Sequence, residues 1–185
     1  MEKKAVDKFI KSNSFEHFHV FNNFEKNEII QTLIELKKDL KKFSDNKKKI
    51  ILKAIADISS TEEGDKIFKL KDNTIAELKS LDKEDYLEYL YYRYRYEIFP
   101  KAKEIDHYPP CLQIEPSSVC NFRCIFCFET DKTFTNKKNG FMGTMDFDNF
   151  KNIIDDAQGN IQFLTLASRG EPLVSKSINL SLIHI

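Results

Sequence analysis

The chain has no tryptophan, and only five glycines, five prolines and four cysteines among its 185 residues. So little glycine and proline excludes a collagen-like chain, and there is no internal repeat or low-complexity tract. Four cysteines are too few for a disulfide scaffold. No stretch approaches the roughly 18 consecutive apolar residues that a membrane-spanning helix needs. Met1 to Asn13 is charged throughout, with no apolar core of a secretory signal, so a reducing, cytoplasmic location is expected. There, clustered cysteines read as metal ligands or catalysts. Charge of one sign is also missing. The 29 basic and 29 acidic side chains balance, giving no whole-chain electrostatic reason to expect nucleic acid or an anionic membrane as partner.

Charge is abundant but unevenly spread. Residues 1–106 hold 22 Lys/Arg and 21 Asp/Glu, against 7 and 8 in residues 107–185. A helical region over 1–106 is therefore expected, followed from 107 by a more buried α/β region. Ile29, Leu33, Leu36, Leu40 and Phe43 recur on one helix face, with Asn22 or Asn23 as the cap and lysines at the far end. Lys47 to Ile58 repeats the pattern through Ile51, Ala54, Ile55 and Ile58, so Lys47-Lys48-Lys49 reads as a solvated helix start. A third helix is expected from about Ser80 to Ile98, with Tyr86, Leu87, Leu90, Tyr91 and Tyr94 inward or half inward and Pro100 helping to stop it.

Two features in this region invite a functional reading. Tyr91 to Tyr96 mixes aromatics with arginines, as single-strand nucleic-acid surfaces do, but on a helix these residues point all round the cylinder. A tyrosine-rich packing face is the expectation. His17-Phe18-His19 alternates like a two-ligand metal strand but has no further ligands nearby, so a structural or surface role is expected.

His107-Tyr108-Pro109-Pro110 cannot continue a helix, and Cys111 to Pro116 alternates as a short strand. Directly after it comes Cys120-Asn121-Phe122-Arg123-Cys124-Ile125-Phe126-Cys127, a C-x3-C-x2-C loop. Soft thiolates select iron–sulfur clusters, zinc or cuprous copper. Zinc needs a fourth ligand, for which Cys111 or His107 are the candidates, making a structural or interaction module the alternative function. A [4Fe–4S] cluster held by three thiolates keeps one iron open to substrate or cofactor. Arg123 is placed to stabilise thiolates or a negatively charged cluster, or is simply solvated.

Further on, Asp146 caps a helix with Phe147, Phe150, Ile153 and Ile154 on its apolar face, and Gly159-Asn160 ends it. An apolar strand, Ile161 to Leu166, then leads into Ser168-Arg169-Gly170-Glu171-Pro172. Strand, helix and strand make a parallel crossover unit, with both loops at the carboxyl ends of the strands. Gly-Glu-Pro alone reads as an ordinary turn.

Taken together, the cysteine loop, the aromatic Phe126 before its last cysteine and Gly170-Glu171-Pro172 resemble the radical S-adenosylmethionine superfamily. Arg169 stands where that family often has a glycine. The resemblance implies an α/β fold: a helical N-terminal region, then the first strand–helix–strand portion of a partial six-unit (β/α) barrel over 107–179. It further implies that Cys120, Cys124 and Cys127 bind three irons of a [4Fe–4S] cluster, and that the backbone at Phe126 lies against the adenine of S-adenosyl-L-methionine. Gly170 and Glu171 would meet its methionyl ammonium. The implied enzyme reductively cleaves that cofactor, and the resulting 5′-deoxyadenosyl radical takes hydrogen from a peptide or small-molecule substrate, with flavodoxin or ferredoxin as electron donor. No polar catalytic pair is evident. Glu129, Asp131, Lys132, Lys137 and Lys138 read as surface composition of a long loop, Phe128 to Met145, that is expected to cover the site.

Ala167 to Pro172 looks most like the SPASM/Twitch branch, whose members bind auxiliary clusters through C-terminal cysteines; none follow here. Leu180-Ser181-Leu182-Ile183-His184-Ile185 is the translation of CTG TCT CTT ATA CAC ATC, a transposon adapter used in sequencing libraries. Residues 180–185 are expected to be an adapter artefact, with authentic sequence ending near Ile178 or Asn179 and the barrel truncated. Little or no catalysis is expected of such a fragment, and Cys111 is expected to be structural.

Overall fold

The computed structural model describes residues 20–185, so His17-Phe18-His19 lies outside the described residues. The chain divides between Ile105 and Asp106 into two compact units.

The first unit is helical. Helix α1 spans Asn23–Glu35 and runs into a 3-10 segment, Leu36–Lys42. Its start is fixed by a reciprocal cap. The Glu25 amide donates to Asn22 Oδ1 at 3.0 Å, and the Asn22 amide donates to Glu25 Oε2 at 3.1 Å. Helix α2 covers Asp45–Ser59 and buries Ile51, Ala54, Ile55 and Ile58. These four meet Ile29, Leu33, Leu40 and Phe43 in one core. A helix that the periodicity does not announce, α3, spans Asp72–Ser80. Only Thr74, Ile75 and Leu78 are buried on it, too few to register as a repeat. Lys79 of α3 pairs with Glu25 at 3.0 Å.

Helix α4, Tyr86–Ala102, begins later and ends later than its pattern suggests. Ser80 closes α3, and a 3-10 turn, Lys83–Asp85, leads into α4. Pro100 lies within the helix and does not stop it. Its missing donor affects only the last turn, where the proline is exposed. The stop is Lys103, left-handed at φ 58°, whose amide reaches the Phe99 and Pro100 carbonyls. Most of the tyrosine run packs inward: Tyr92, Tyr94 and Arg95 are buried and Tyr91 is half-buried, while Tyr96 is exposed. Phe68 lies 5.8 Å from Tyr94, centroid to centroid, and the Arg95 guanidinium sits 4.5 Å above the Tyr91 ring.

Tyr89 donates its hydroxyl to Glu77. Burial first, and this bond second, push the phenol well above its ordinary value near 10. The folded state thus holds the proton more tightly than the unfolded chain. The associated stability is complete below the unfolded value and is lost as pH rises through the folded one. Tyr89→Phe should therefore flatten the fall in unfolding free energy above about pH 10, measured by denaturant titration at stepped pH. Part of the slope should remain, because burial also pushes Tyr86 and Tyr94 up. An unchanged slope would remove Tyr89 from this account.

The second unit holds one two-stranded parallel sheet. Strand β1, Cys111–Gln113, pairs with β2, Phe163–Thr165, with Leu112 opposite Leu164. Between them lies helix α5, Phe147–Ala157, whose cap Asp146 accepts from the Asn149 amide at 2.8 Å. Gly159, at φ 76°, turns the chain back toward β2. Helix α6, Ile178–His184, packs on α5, and His184 Nε2 meets Asp155 Oδ1 at 2.8 Å. The fold is thus helix-rich with a small parallel α/β portion, and the two described strands do not close a barrel.

This unit is less buried than its low charge suggests. Its buried apolar residues among those described are Ile114, Phe150, Ala157 and Ile178. Ile153 is exposed, Ile154 is half-buried, and Phe163 on β2 is 53% exposed. Low charge and burial part company because a two-stranded sheet offers a single helix little surface to cover.

Candidate functional site at the strand ends

Ile114 is the last β1-side residue to bond β2, its amide donating to Thr165 O at 2.9 Å. The chain beyond it, Glu115 to Val119, becomes the middle of three adjoining segments. On one side, the far end of the long loop folds back. Ser118 and Gly143 exchange bonds, with the Ser118 amide donating to Gly143 O at 3.0 Å and the Gly143 amide donating to Ser118 Oγ at 2.7 Å. Met145 donates to Pro116 O at 2.9 Å.

On the other side lies the segment after β2. The Glu171 amide donates to Val119 O at 3.0 Å, and the Arg169 amide donates to Glu115 Oε2 at 3.0 Å. Gly170 between them has φ 78°, and a Cβ there would stand 2.1 Å from Ser117 O. Glycine is required here on two counts, the positive φ and the close approach of two backbones. Arg169 takes no positive φ, so its position does not demand glycine. Parallel pairing thus brings Gly170-Glu171-Pro172 against the residues that lead directly into Cys120.

The cysteine loop is open. Cys120 and Cys127 are half-buried, Cys124 is exposed, and all three thiols are free. The Cys127 amide donates to Cys124 O at 2.9 Å, a tight turn across the C-x2-C portion. Cys120 Sγ accepts from the Phe122 amide at 3.4 Å. Arg123 donates to the Cys120 and Phe122 carbonyls at 3.0 and 2.7 Å, holding the loop's own backbone. Ile125 and Phe126 are 96% and 90% exposed, so the loop turns its apolar side chains outward. Among the described residues, no three Cys, His, Asp or Glu side chains are already gathered as a metal-holding group. The donor chemistry nevertheless fits an iron–sulfur cluster: three soft thiols within eight residues. Binding one requires the loop to draw together.

Glu171 caps the 3-10 turn Pro172–Val174, its Oε1 accepting from the Leu173 amide at 3.1 Å. Among the described residues, its other oxygen makes no hydrogen bond, which leaves it open to a ligand's ammonium group.

Glu129 departs from the expectation of a surface loop residue. It is only 3% exposed, and its carboxylate lies 3.4 Å from Arg169 Nε. The loop's tight 3-10 turn, Phe128–Thr130, points it inward. Asp131, Lys132, Lys137 and Lys138 are exposed. The Asp131 carboxylate, bonded by the Thr133 amide, is held below the usual carboxylate range. Within the same loop, Phe128, Phe134 and Phe141 form a chain of rings at 5.6 and 6.1 Å.

A cavity of about 640 Å3 lies beside the three segments, lined by Glu115, Ser118, Phe141, Met145, Asn149 and Asp156 among others. None of the three loop cysteines, nor Glu171, lines it. Comparison with protein-family models, with curated proteins and with solved structures found no significant match. Among the described residues, no helix is long and apolar enough to cross a membrane.

Proposed function

We propose that this chain carries the cofactor-binding start of a radical S-adenosylmethionine enzyme, the opening units of a (β/α) barrel. One observation carries the reading: the Glu171 amide bonds Val119 O, next to Cys120, while Gly170 packs on Ser117. A three-cysteine loop and a Gly-Glu-Pro segment that are 43 positions apart in sequence thus form one rim at the carboxyl ends of two parallel strands. Cys120, Cys124 and Cys127 would hold three irons of a [4Fe–4S] cluster. The Phe126 backbone would lie along the adenine, and Gly170 and Glu171 would receive the methionyl ammonium.

Bound there, the cluster supplies the electron that cleaves S-adenosyl-L-methionine and starts hydrogen abstraction from a peptide or small-molecule substrate. The chain's own part is positional. Glu171 offers a carboxylate to a cation, and Arg123 braces the carbonyls around Cys120. A ferredoxin or flavodoxin is the class of electron donor such a site calls for.

Anaerobic reconstitution of the chain with iron and sulfide tests this. About four irons per chain are expected and, after one-electron reduction with dithionite, an electron paramagnetic resonance signal that changes on adding S-adenosylmethionine. Stoichiometric zinc in sulfur-rich tetrahedral coordination, with no response to S-adenosylmethionine, would sink the proposal in favour of a zinc module.

A further inference from the structure

The Arg169 guanidinium touches three separate stretches of chain. Its Nε lies 3.6 Å from Glu115 Oε1, two residues past β1, and 3.4 Å from Glu129 Oε1, two residues past Cys127. Its Nη2 donates to the carbonyl of Phe141, at the far end of the long loop. Glu129 is the informative partner. Its carboxylate is buried and neither oxygen has a hydrogen-bond partner. Among the described residues, Arg169 is its one ion-pair partner. Burying an unpaired carboxylate is far costlier than burying a paired one, so Glu129 holds the guanidinium in place by charge. Arg169 in turn adjoins Gly170 and Glu171; its own amide already bonds Glu115 Oε2, and the Glu171 amide bonds Val119 O.

We propose that Arg169 is a positioning residue that locks the exit of the cysteine loop to the Gly-Glu-Pro segment, so that Cys127 and Glu171 keep a fixed relation. This rests on the radical S-adenosylmethionine reading for what is bound, but the mechanical coupling itself does not. The arginine is the feature that departs from the resembled family's glycine, and the departure has a use: a glycine would keep the backbone bond to Glu115 but leave the buried Glu129 without its ion-pair partner. Lysine is a poor substitute, because the guanidinium sets Nε at ion-pair distance from both carboxylates while its separate Nη2 donates to the Phe141 carbonyl, an arrangement that one ammonium does not reproduce.

The test is hydrogen exchange on the chain without ligand, paired with S-adenosylmethionine binding after reconstitution. Arg169→Met should speed amide exchange about tenfold or more in both 128–145 and 170–174, leaving α5 and α2 unchanged. Glu129→Gln should reproduce the pattern, and the double variant should add little to either, as expected of partners in one interaction. Arg169→Lys should restore part of the protection. Iron content should stay at the wild-type level while affinity for S-adenosylmethionine falls about tenfold. Faster exchange confined to residues next to 169, or additive effects of the two variants, overturns the lock. So does unchanged affinity in a fully loaded Arg169→Met chain. If the wild-type chain takes up no cluster, the functional reading fails, and the exchange pattern decides the lock alone. If Arg169→Met does not fold, Glu129→Gln and Arg169→Lys carry the same comparison.

Discussion

Gly170→Ala should destabilise the second unit by about 2–5 kcal/mol, read from denaturant unfolding or exchange protection across 111–174. Two costs combine. Alanine at φ 78° is disfavoured by about 1–2 kcal/mol. Its Cβ would also lie 2.1 Å from Ser117 O and 2.8 Å from the Ser118 backbone, neither of which can swing aside as a flexible side chain does. Relief requires the Gly-Glu-Pro segment to lift away, which breaks the Glu171 to Val119 bond. Because this unit buries few apolar residues, it has little stability in reserve. Gly140 provides the control, having φ 75° with nothing within 4 Å of its absent Cβ. Gly140→Ala should therefore cost only the conformational part, about 1–2 kcal/mol. Equal effects at the two positions would show that the close approach at Gly170 is not made.

The second large effect concerns chemistry and not folding. Cys124→Ser should lower reconstituted iron from about four per chain to less than about one, since two thiolates cannot keep a cubic cluster. Its thermal midpoint without metal should barely move. Cys124 is exposed, and exposed substitutions away from special contacts stay within about 0.5 kcal/mol. Gly170→Ala reverses this profile, with every cysteine present and the fold weakened. Cys111→Ser separates the competing metal readings. Cys111 is a β1 residue opposite Phe163, and its replacement should leave iron uptake unchanged. If Cys111→Ser strips the metal as Cys124→Ser does, a four-thiolate zinc site is the better account.

Much of the helical unit was legible because repeated burial leaves a repeat in the letters. Ile29, Leu33, Leu40 and Phe43, then Ile51, Ala54, Ile55 and Ile58, face the core at the expected spacing. Asp146 likewise announces α5, since an N-cap is a local event between near neighbours. Helix α3 is not legible in the sequence because nine residues with a small apolar face carry too little period. Pro100 does not mark the stop for a related reason: a proline near a helix end removes a bond that the last turn can do without.

The candidate site divides along the same line. The residue types, their C-x3-C-x2-C spacing and the order of strand, loop, helix, strand and Gly-Glu-Pro are properties of the linear chain. They determined which side chains could do chemistry and that both loops follow parallel strands. The inward turn of Glu129, the lock formed by Arg169 and the contact of Gly170 on Ser117 join residues 40 and 53 positions apart. Only the tertiary structure decided these, because no local propensity encodes which distant backbone will lie against a glycine or which buried carboxylate an arginine will meet. Pairing β1 with β2 sets those distances, and charge burial and close backbone packing then act on them.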